Sequence, residues 1–510
     1  MMAVLERLKR FAAQARAILA RDGDVADFNF YCSACEQRVA RFNFTSELAC
    51  RGVEELKSDA TQGFALRLVM RGDGPQVAEA SVCGDLSLEE VAKALKRAKQ
   101  TTVCDRYFPG LPAPPPLRRP SARPEPELLR LSDAALAEAA WRTVEGALVE
   151  AARAEQTSGK ALGLVLGGDI SVGREEMALC SSRFEGVRAD QDARFTASVA
   201  ALVEEADGKG TAGAAGRSAG QLCRVVPGLG RTALRRALAL GRGVRPAPGK
   251  YRLLLGPQPV AEILHHVVVP SLTAESFYAA SSAYQGRFGL RVMDRQLSLA
   301  DEPAARFGAI RRLVTCEGFR AGRTELVRDG RLLGLLASFQ DGARLWADEQ
   351  RREKLGRGAD RLDGLVPNGG YRNGEAGLRS FDAGIGSAGT NIVMSARAGA
   401  VPERLARAVR QGLYVGRIWY TYPINGQRAG DFTCTITGDS WLIEKGRAGA
   451  PVAPNCLRIN ASAVELFAAV VAAGNRRHPA LVWGAPQVYY VPELVVEGVA
   501  LSAVEQPAAP

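Results

Sequence analysis

The sequence predicts an α+β fold with two domains: an N-terminal mixed sheet with covering helices, and a C-terminal domain rich in β-strands. First, the chain has 510 residues, which is more than one hydrophobic core serves, since cores stop growing at about 250–300 residues. Second, the apolar pattern of the first half follows the order strand, strand, helix, which is typical of α+β proteins. Third, strand-like segments and glycine turns predominate from about residue 250 onward.

A proline-rich segment divides the first half. Eight of the residues in 109–126 are prolines, a composition typical of a stiff, extended connector. We therefore expect the first domain to consist of two parts, 1–108 and 127–245, joined by this linker, and the second domain to span 246–510. The alternative interpretation of 109–126 is a proline-rich ligand for another protein module.

Periodicity predicts the elements of the first domain. Apolar residues at helical spacing predict a helix over 1–21, and Ser87 followed by Glu90 is a capping box that predicts the start of another helix. Alternation of polar and apolar residues predicts strands. The strands are expected at 27–31, 37–44, 63–70, 162–166, 176–180 and 193–203, and two further helices at 132–153 and 231–240.

The second domain contains two segments that resemble β-hairpins, at 323–336 and 430–446. In the first of them, Asp329-Gly330 is a strong signal for a two-residue turn. The charged segment 350–365 has no clear periodicity and is expected to be a loop or a mobile segment.

Composition and charge favour a globular cytoplasmic protein. Hydrophobic residues make up 47% and charged residues 24% of the chain, which is ordinary for a globular domain. No apolar run is long enough for a transmembrane helix, and the N-terminal pattern is not typical of a secretory signal, so we expect a cytoplasmic location. The net charge of +11 comes mostly from dispersed arginines, so we expect a solvated surface and consider nucleic-acid binding unlikely.

Ten cysteines are scattered along the chain, which does not indicate a disulfide framework. Cys32 and Cys35 form a single CxxC motif, and no second CxxC completes a zinc ribbon. Three residues apart on a strand, their thiols would point to opposite faces of the sheet. A structural role is therefore expected for both.

Three short motifs resemble functional sites but lack the required context. The segment 157–160 lacks the flanking residues of a phosphate-binding loop. The glycines of 228–233 resemble a dinucleotide fingerprint without a preceding strand, and we expect a loop leading into a helix. Ser218 occupies the centre of a Gly-x-Ser-x-Gly motif, but 208–215 before it is rich in glycine and alanine, and a flexible stretch followed by a plain loop is expected.

The segment 259–270 carries the most informative chemistry of the chain, because this short apolar helix holds two of the three histidines. His265 and His266 are adjacent, so on a helix they lie about 100° apart and cannot readily share one metal ion. Glu262 and His266 are four residues apart and could. One carboxylate and one imidazole are too few for a zinc site, so we expect the histidines to make hydrogen bonds at a domain or subunit contact.

Several segments, taken in order, resemble the TldD/PmbA (TldD/TldE) metallopeptidase family, also called modulators of DNA gyrase. The most specific segment begins Gly430-Asp-Phe-Thr and ends Trp441-Leu-Ile-Glu-Lys-Gly446. The similar segments, which are spread in order along nearly the whole chain, are 63–70, 175–199, 233–240, 245–257, 390–394, 412–415 and 430–446.

The resemblance also shows which groups are missing. The catalytic subunit of the family carries His-Glu-x-x-x-His on this helix and a cysteine ligand near the C-terminus. His265 falls at the first histidine, His266 replaces the glutamate, Pro270 replaces the second histidine, and 480–486 contains no cysteine. The resemblance is therefore to the PmbA/TldE side, with no catalytic residue and no metal of its own. Glu262, His265 and His266 are only weak candidate ligands on a vestigial helix that ends at Pro270.

The resemblance implies a non-catalytic subunit, inactive alone, in a complex that degrades peptides or processes leader peptides. Its partner would be a zinc-bearing TldD-like subunit or a second copy of this chain, with zinc held only by the partner. One alternative is an active metallopeptidase rebuilt from Glu262, His266 and either Cys434 or Cys456. The other is a regulator that binds nucleic acid or a topoisomerase, which the net charge of +11 permits.

Overall fold

The computed structural model describes residues 4–46, 48, 52–72, 74–117, 126–204, 208–240, 243–361 and 364–504. These residues form an α+β fold, which confirms the predicted class. The α-helices are α1 (Val4–Leu19), α2 (Leu88–Gln100), α3 (Pro126–Leu129), α4 (Asp133–Ser158), α5 (Ala219–Leu240), α6 (Pro257–Ile263), α7 (Ala274–Tyr278), α8 (Phe339–Ala347), α9 (Arg351–Leu355), α10 (Pro402–Val409) and α11 (Ala463–Ala468).

The strands divide into those of the first and those of the second half. The first half contains β1 (Val25–Thr45), β2 (Lys57–Met70), β3 (Gln76–Cys83), β4 (Val103–Cys104), β5 (Leu164–Ser181), β6 (Phe184–Val203) and β7 (Gly208–Gly216). The second half contains β8 (Gly249–Leu255), β9 (Leu297–Asp301), β10 (Thr324–Arg328), β11 (Arg331–Leu332), β12 (Gly370–Tyr371), β13 (Gly386–Ser387), β14 (Asn391–Ala396), β15 (Gln411–Ile424), β16 (Asp431–Glu444), β17 (Arg447–Pro451), β18 (Leu457–Ser462), β19 (Val470–Ala473), β20 (His478–Ala480), β21 (Val488–Val491) and β22 (Leu494–Ala503).

The strands of the first half form one seven-stranded sheet in the order β4-β3-β2-β1-β5-β6-β7. Every pairing in it is antiparallel, so the expectation of a mixed sheet is corrected. Short turns join β2 to β3 and β5 to β6, as in antiparallel hairpins, whereas α2 lies between β3 and β4, and α3 and α4 lie between β4 and β5. The long strand β1 contains both predicted strands, 27–31 and 37–44, while β5 contains the predicted strand 176–180 and begins at Leu164, within the predicted strand 162–166.

Helices cover one face of this sheet. At one end, α1 packs on β1 and β2 through Phe11, whose ring lies 5.5 Å from that of Phe30 and 5.7 Å from that of Phe64, between centroids. At the other end, α4 and α5 cover β5, β6 and β7. Ser87 caps α2 as predicted, since its hydroxyl accepts a hydrogen bond from the Glu90 N–H at 3.2 Å.

Part of the proline-rich segment packs against the protein. Leu111 is buried, and Arg188 Nη2 donates a hydrogen bond to the Pro114 carbonyl at 3.0 Å. Residues 118–125 of the predicted linker lie outside the described residues. The segment 109–117 therefore runs over the first sheet, while its role as a linker stays a prediction.

Three expectations for the region after β6 were wrong. The segment 208–215 is not a flexible stretch but belongs to β7, which pairs with β6 along its length. The glycines of 228–233 do not form a loop but lie inside α5, which begins at Ala219. Ser218 is the cap of that helix, because its hydroxyl accepts a hydrogen bond from the Gln221 N–H at 3.2 Å.

Close packing explains why these segments contain so much glycine. A Cβ atom at Gly230 would lie 1.9 Å from the Thr143 carbonyl oxygen of α4, and one at Gly146 would lie 2.1 Å from the Pro227 carbonyl oxygen of α5. Real Cβ atoms do not approach so closely. Glycine at these positions therefore sets the distance between the two helices and indicates packing rather than ligand binding.

The second half contains a five-stranded barrel. Its strands form a closed ring in the order β15-β8-β22-β18-β16, completed by pairing of β15 with β16. A six-stranded sheet in the order β11-β10-β9-β14-β21-β20 packs beside it through a shared apolar core. The hairpin predicted at Asp329-Gly330 is confirmed, with φ angles of 46° and 76° at its turn.

Two predictions in this half were wrong. The segment 430–446 is not a hairpin, because it is filled by the single strand β16, which pairs with both β15 and β18. The segment 350–365 is not simply a loop, since it contains α9 and a 3-10 helix over Arg357–Arg361; residues 362 and 363 lie outside the described residues.

Among the residues described, no helix is both long and apolar enough to cross a membrane.

Cys32 and Cys35 both lie on β1: Cys32 is buried in the core beneath α1, and the Cys35 thiol lies 3.0 Å from the Thr61 hydroxyl. Because the two cysteines are three residues apart, an odd number, they lie on opposite faces of the strand, as predicted.

Candidate functional site

The candidate site is the helical segment that follows β8. Helix α6 continues into a π-helical turn over Leu264–Val268, closed by a hydrogen bond from the Val269 N–H to the Leu264 carbonyl at 2.8 Å. A 3-10 turn over Pro270–Leu272 follows. Because Pro270 has no N–H group, the helical ladder cannot continue regularly through it. The predicted helix at 259–270 is thus present, but its backbone is irregular where the histidines lie.

Apolar residues fix this segment in the core of the second half. Val260, Ile263, Leu264, Val267 and Val268 are each at most 1% exposed. Their burial leaves the remaining faces of the helix to carry Glu262, His265 and His266. The orientation of these polar side chains is therefore set by a rigid element rather than by a loop.

Both carboxylate oxygens of Glu262 are engaged within the protein. Its Oε1 accepts a hydrogen bond from Gln258 Nε2 at 2.9 Å, and its Oε2 lies 3.2 Å from His266 Nε2. Glu262 is only 3% exposed. The two groups that the sequence placed on one face thus contact each other directly.

His265 is directed elsewhere. Its Nδ1 lies 2.9 Å from the hydroxyl of Tyr489 on β21, and its ring meets that of His266 edge-on at 4.7 Å between centroids. Burial lowers the pKa of His265 to about 4, and the neighbouring charge of His266 acts in the same direction, while a hydrogen bond with Gln487 opposes it. His265 is therefore neutral near pH 7.

The cysteines do not complete a metal site with these residues. Cys434 is buried on β16; burial raises its thiol pKa, and the negative charge of Glu262 raises it further. A thiol held in its protonated form is a poor zinc ligand. Cys456 is buried just before β18. Its thiol pKa is also raised by burial.

The residues present do not fit a zinc ion. Among the described residues, no group of three or more His, Cys, Asp or Glu side chains could hold a metal. A catalytic zinc needs three protein ligands. Pro270 offers no side-chain donor, and the segment 480–486, where the resemblance places a cysteine, carries instead Trp483, which is 82% exposed.

Sequence reasoning missed the partners that orient the site. Gln258 bridges Glu262 to β15, since its Nε2 donates to the Ile418 carbonyl at 3.1 Å and its Oε1 accepts from the Ile418 N–H at 3.0 Å. The spacing of Gln258 and Glu262, four residues on one helix, could have suggested their contact. No local pattern points to Tyr489, which is 224 residues from His265.

Comparison with known proteins identifies the family. A family model described as the PmbA/TldA metallopeptidase C-terminal domain matches residues 248–503, just over half of the chain. The chain belongs to this family. The family resemblance drawn from the sequence is therefore confirmed, and the matched range contains α6, the π-helical turn and the barrel strands around them.

Solved structures show that the PmbA/TldA relationship extends to the fold of the whole chain. TldE from Thermococcus kodakarensis superposes with a TM-score of 0.76 at 16% identity, over 98% of this chain and 100% of that one. A protein described as a candidate modulator of DNA gyrase from Bacteroides thetaiotaomicron gives 0.75 at 17% identity, over 98% and 100%. A protein described in the same way from Thermotoga maritima gives 0.73 at 15%, over 97% and 99%. No curated protein sequence matches the chain.

Proposed function

We propose that this member of the PmbA/TldA family is a non-catalytic, metal-free subunit of a TldD/TldE-type peptidase complex. It docks onto a zinc-bearing subunit of the same family and contributes to the cleft in which peptides are cleaved or leader peptides are removed. This proposal rests on one observation. The segment 257–272 has a π-helical turn in its backbone, but its side chains cannot hold a metal.

The backbone supports descent from a metal-binding helix. π-Helical turns are rare and occur frequently at functional sites. Such a turn is closed by a hydrogen bond between residues five apart, as Val269 and Leu264 are here, and it brings residues five apart toward the same face. His265 and Pro270 are also five apart. They occupy the two histidine positions of the family motif that the sequence resembles.

The side chains argue against hydrolysis by this chain alone. A zinc peptidase needs a metal to activate water and a carboxylate to accept its proton. Glu262 uses one oxygen for Gln258 and the other for His266. His265 contacts Tyr489. The alternative of a rebuilt site with Cys434 is disfavoured because burial and Glu262 raise the pKa of its thiol.

The proposal is tested with the purified full-length chain and a zinc-bearing relative that retains the His-Glu-x-x-x-His motif. We expect the lone chain to contain no stoichiometric zinc by elemental analysis and to cleave no peptide. We expect the mixed proteins to form a complex by size-exclusion chromatography with light scattering, and the complex to cleave unfolded peptides. Chelator-sensitive hydrolysis by the lone chain would overturn the non-catalytic role.

Two further outcomes of these measurements would point to a different binding partner. Failure to associate with the zinc-bearing relative, together with self-association of this chain, would replace the heteromeric complex with a homodimer. Steeply salt-dependent DNA binding by the lone chain would favour a nucleic-acid regulator instead.

A further inference from the structure

A second site lies next to the candidate helix, between the first sheet and the barrel. A cavity of about 430 Å³ opens there, a volume typical of small-ligand sites. Its floor is made of small residues of the first sheet, including Gly167, Ala200 and Gly210. A Cβ atom built at Gly167 would meet no atom within 4 Å. The open space above this glycine is therefore part of the cavity.

Two irregularities in the β15–β16 ladder shape the opposite wall. Arg417 pairs with Gly438 and Ile418 with Ile436, so Thr437 faces no residue of β15. Thr437 lines the cavity, and its buried hydroxyl has no hydrogen-bond partner among the described residues. Bulges of this kind are frequent beside functional sites, where they redirect side chains.

The second irregularity exposes an aromatic side chain at the rim. Trp419 pairs with Thr435 and Tyr422 with Thr433, so two residues of β15 oppose one of β16. The first of the two, Tyr420, has a φ of 54° and is 70% exposed. A left-handed conformation at a bulky residue costs about 1–3 kcal/mol and is often retained for function. Trp419 and Tyr420 both line the cavity.

Two cations line the same cavity. Lys209 and Thr211 lie two apart on β7 and so share one face, and Arg417 Nη1 donates a hydrogen bond to the Thr211 hydroxyl at 2.6 Å. Both cationic side chains therefore reach the same cavity. Neither Lys209 nor Arg417 forms an ion pair with any carboxylate among the described residues. The nearby carboxylate of Asp439 instead lies 3.5 Å from Arg236 Nη1.

Burial makes Arg417 a favourable partner for an anion. Burial lowers the pKa of its guanidinium, and the charges of Asp439 and Glu262 oppose that effect. A partly desolvated cation without a direct counter-ion gains from a charge-assisted hydrogen bond with a carboxylate. The cavity adjoins the candidate helix, because the residue after Arg417, Ile418, donates its N–H to Gln258 Oε1 at 3.0 Å.

We propose that this cavity binds the carboxyl-terminal end of an apolar peptide. The terminal carboxylate lies between Lys209 and Arg417, and the last apolar side chain packs on the floor at Gly167 and against Trp419. A peptide end fits better than an acyl chain of similar length. Its amide groups can satisfy the buried Thr437 hydroxyl, which an acyl chain would leave unpaired.

The choice of a peptide rests on the proposed function, but the binding site does not require a metal or a partner subunit. Binding is therefore measured on the lone, full-length chain. Loss of the proposed complex would leave this binding intact, and loss of this binding would leave complex formation intact, so the two proposals can fail separately.

The test uses fluorescence anisotropy with a hexapeptide, fluorescein-Ala-Leu-Ala-Val-Ala-Leu, as the free acid and as the C-terminal amide. We expect the amide to bind at least about tenfold more weakly, since a charge-assisted hydrogen bond is lost. Equal binding of acid and amide, or no binding of the acid, would overturn the proposal. Displacement of the peptide by octanoate at equal concentration would show that an acyl carboxylate is the ligand instead and would also overturn it.

Variants locate the site. Gly167→Val fills the cavity. We expect it to weaken binding of the free-acid peptide at least about tenfold, because at least one well-placed apolar contact is lost. Gly386→Val is the matched control, because Gly386 is also a half-buried strand residue whose Cβ would meet no atom within 4 Å. Unchanged binding by Gly167→Val would exclude this cavity.

A second variant, at a surface residue, tests the site even if Gly167→Val does not fold. Lys209 is exposed, so Lys209→Gln should fold normally. We expect it to weaken binding of the acid and leave binding of the amide unchanged. A parallel loss for both ligands would show that Lys209 does not contact the carboxylate, against the proposal.

Discussion

Glu175 and Arg379 are 204 residues apart in the chain and form a fully buried ion pair, with 2.7 Å between Arg379 Nε and Glu175 Oε1. The Arg379 N–H also donates to Glu175 Oε2, and Arg312 Nε lies 3.1 Å from Oε1. Burial alone would raise the pKa of Glu175, but the charges of Arg312 and Arg379 outweigh it and hold the pKa far below its usual range. This pair ties β5 of the first sheet to the second half of the chain.

Glu175→Gln is expected to destabilise the protein strongly. Removing one partner of a buried ion pair leaves uncompensated charge, here on Arg312, while Arg379 keeps only Asp190; the cost is about 3–5 kcal/mol. The measurement is the midpoint of urea denaturation followed by circular dichroism. The matched control is Glu138→Gln, which breaks an exposed pair with Arg142 and should leave the midpoint nearly unchanged. Equal midpoints for the two variants would contradict the role assigned to Glu175.

Gly230→Ala is expected to lower the free energy of unfolding by about 1–3 kcal/mol, because its Cβ collides with the α4 backbone. This should hold although alanine favours helices by about 1 kcal/mol over glycine. Gly228→Ala, two residues earlier on the exposed side of the same helix, meets no atom within 4 Å and should stabilise. Thermal denaturation of both variants gives the comparison. A stabilising Gly230→Ala would show that the helices are not in the close contact described.

His265 should make stability depend on pH in a defined window. Its pKa is about 4 in the folded protein and about 6.5 in an unfolded chain. Between these values the unfolded chain binds a proton that the folded chain does not, so stability falls as pH decreases from 6.5 to 4. The effect is about 3 kcal/mol, and His265→Gln should remove it.

Two measurements check this prediction. The first is the free energy of unfolding of the wild type and of His265→Gln at pH 7 and pH 4, where the difference between the two proteins isolates this side chain. The second is the titration of the His265 ring by nuclear magnetic resonance. A ring midpoint near 6.5 in the folded protein would contradict the buried, neutral state.

Restoring the missing glutamate and histidine of the family motif tests whether the π-helical turn aligns positions 265 and 270 for metal binding. In the double variant His266→Glu with Pro270→His, the turn should bring the imidazoles at positions 265 and 270 toward one face. We expect this variant to retain more zinc after dialysis than either the wild type or His266→Glu alone, by elemental analysis. Zinc contents equal to that of His266→Glu would mean that the backbone does not align these positions.

The sequence predicted elements best where apolar periodicity was strong. Strands within β1, β2, β5 and β6 and the capped helix α2 followed directly from alternation and from Ser87. Prediction failed where small residues carry no such pattern: β7 consists of glycine, alanine, threonine and lysine. Two of its glycines, Gly208 and Gly210, are required by the close approach of the α5 backbone, a contact that no local pattern encodes.

The segment 430–446 was expected to form a hairpin, but it forms the single strand β16. Near its middle, Asp439 has a φ of 46°. The strand nevertheless continues through Asp439, because β15 pairs with β16 on both sides of it, and the shift in register lies two residues away, at Thr437. A turn and a bulge use similar residues, and only the neighbouring strand distinguishes them.

The sequence by itself determined the α+β class, the family, and the chemical groups available on the helix at 259–270: one glutamate, two adjacent histidines and a terminal proline. The tertiary structure alone decided that Glu262 meets His266, that His265 meets Tyr489, and that a cavity opens at Gly167. The physical reason is that periodicity and side-chain chemistry are local properties. Contacts between residues hundreds of positions apart depend instead on how the sheets and helices pack.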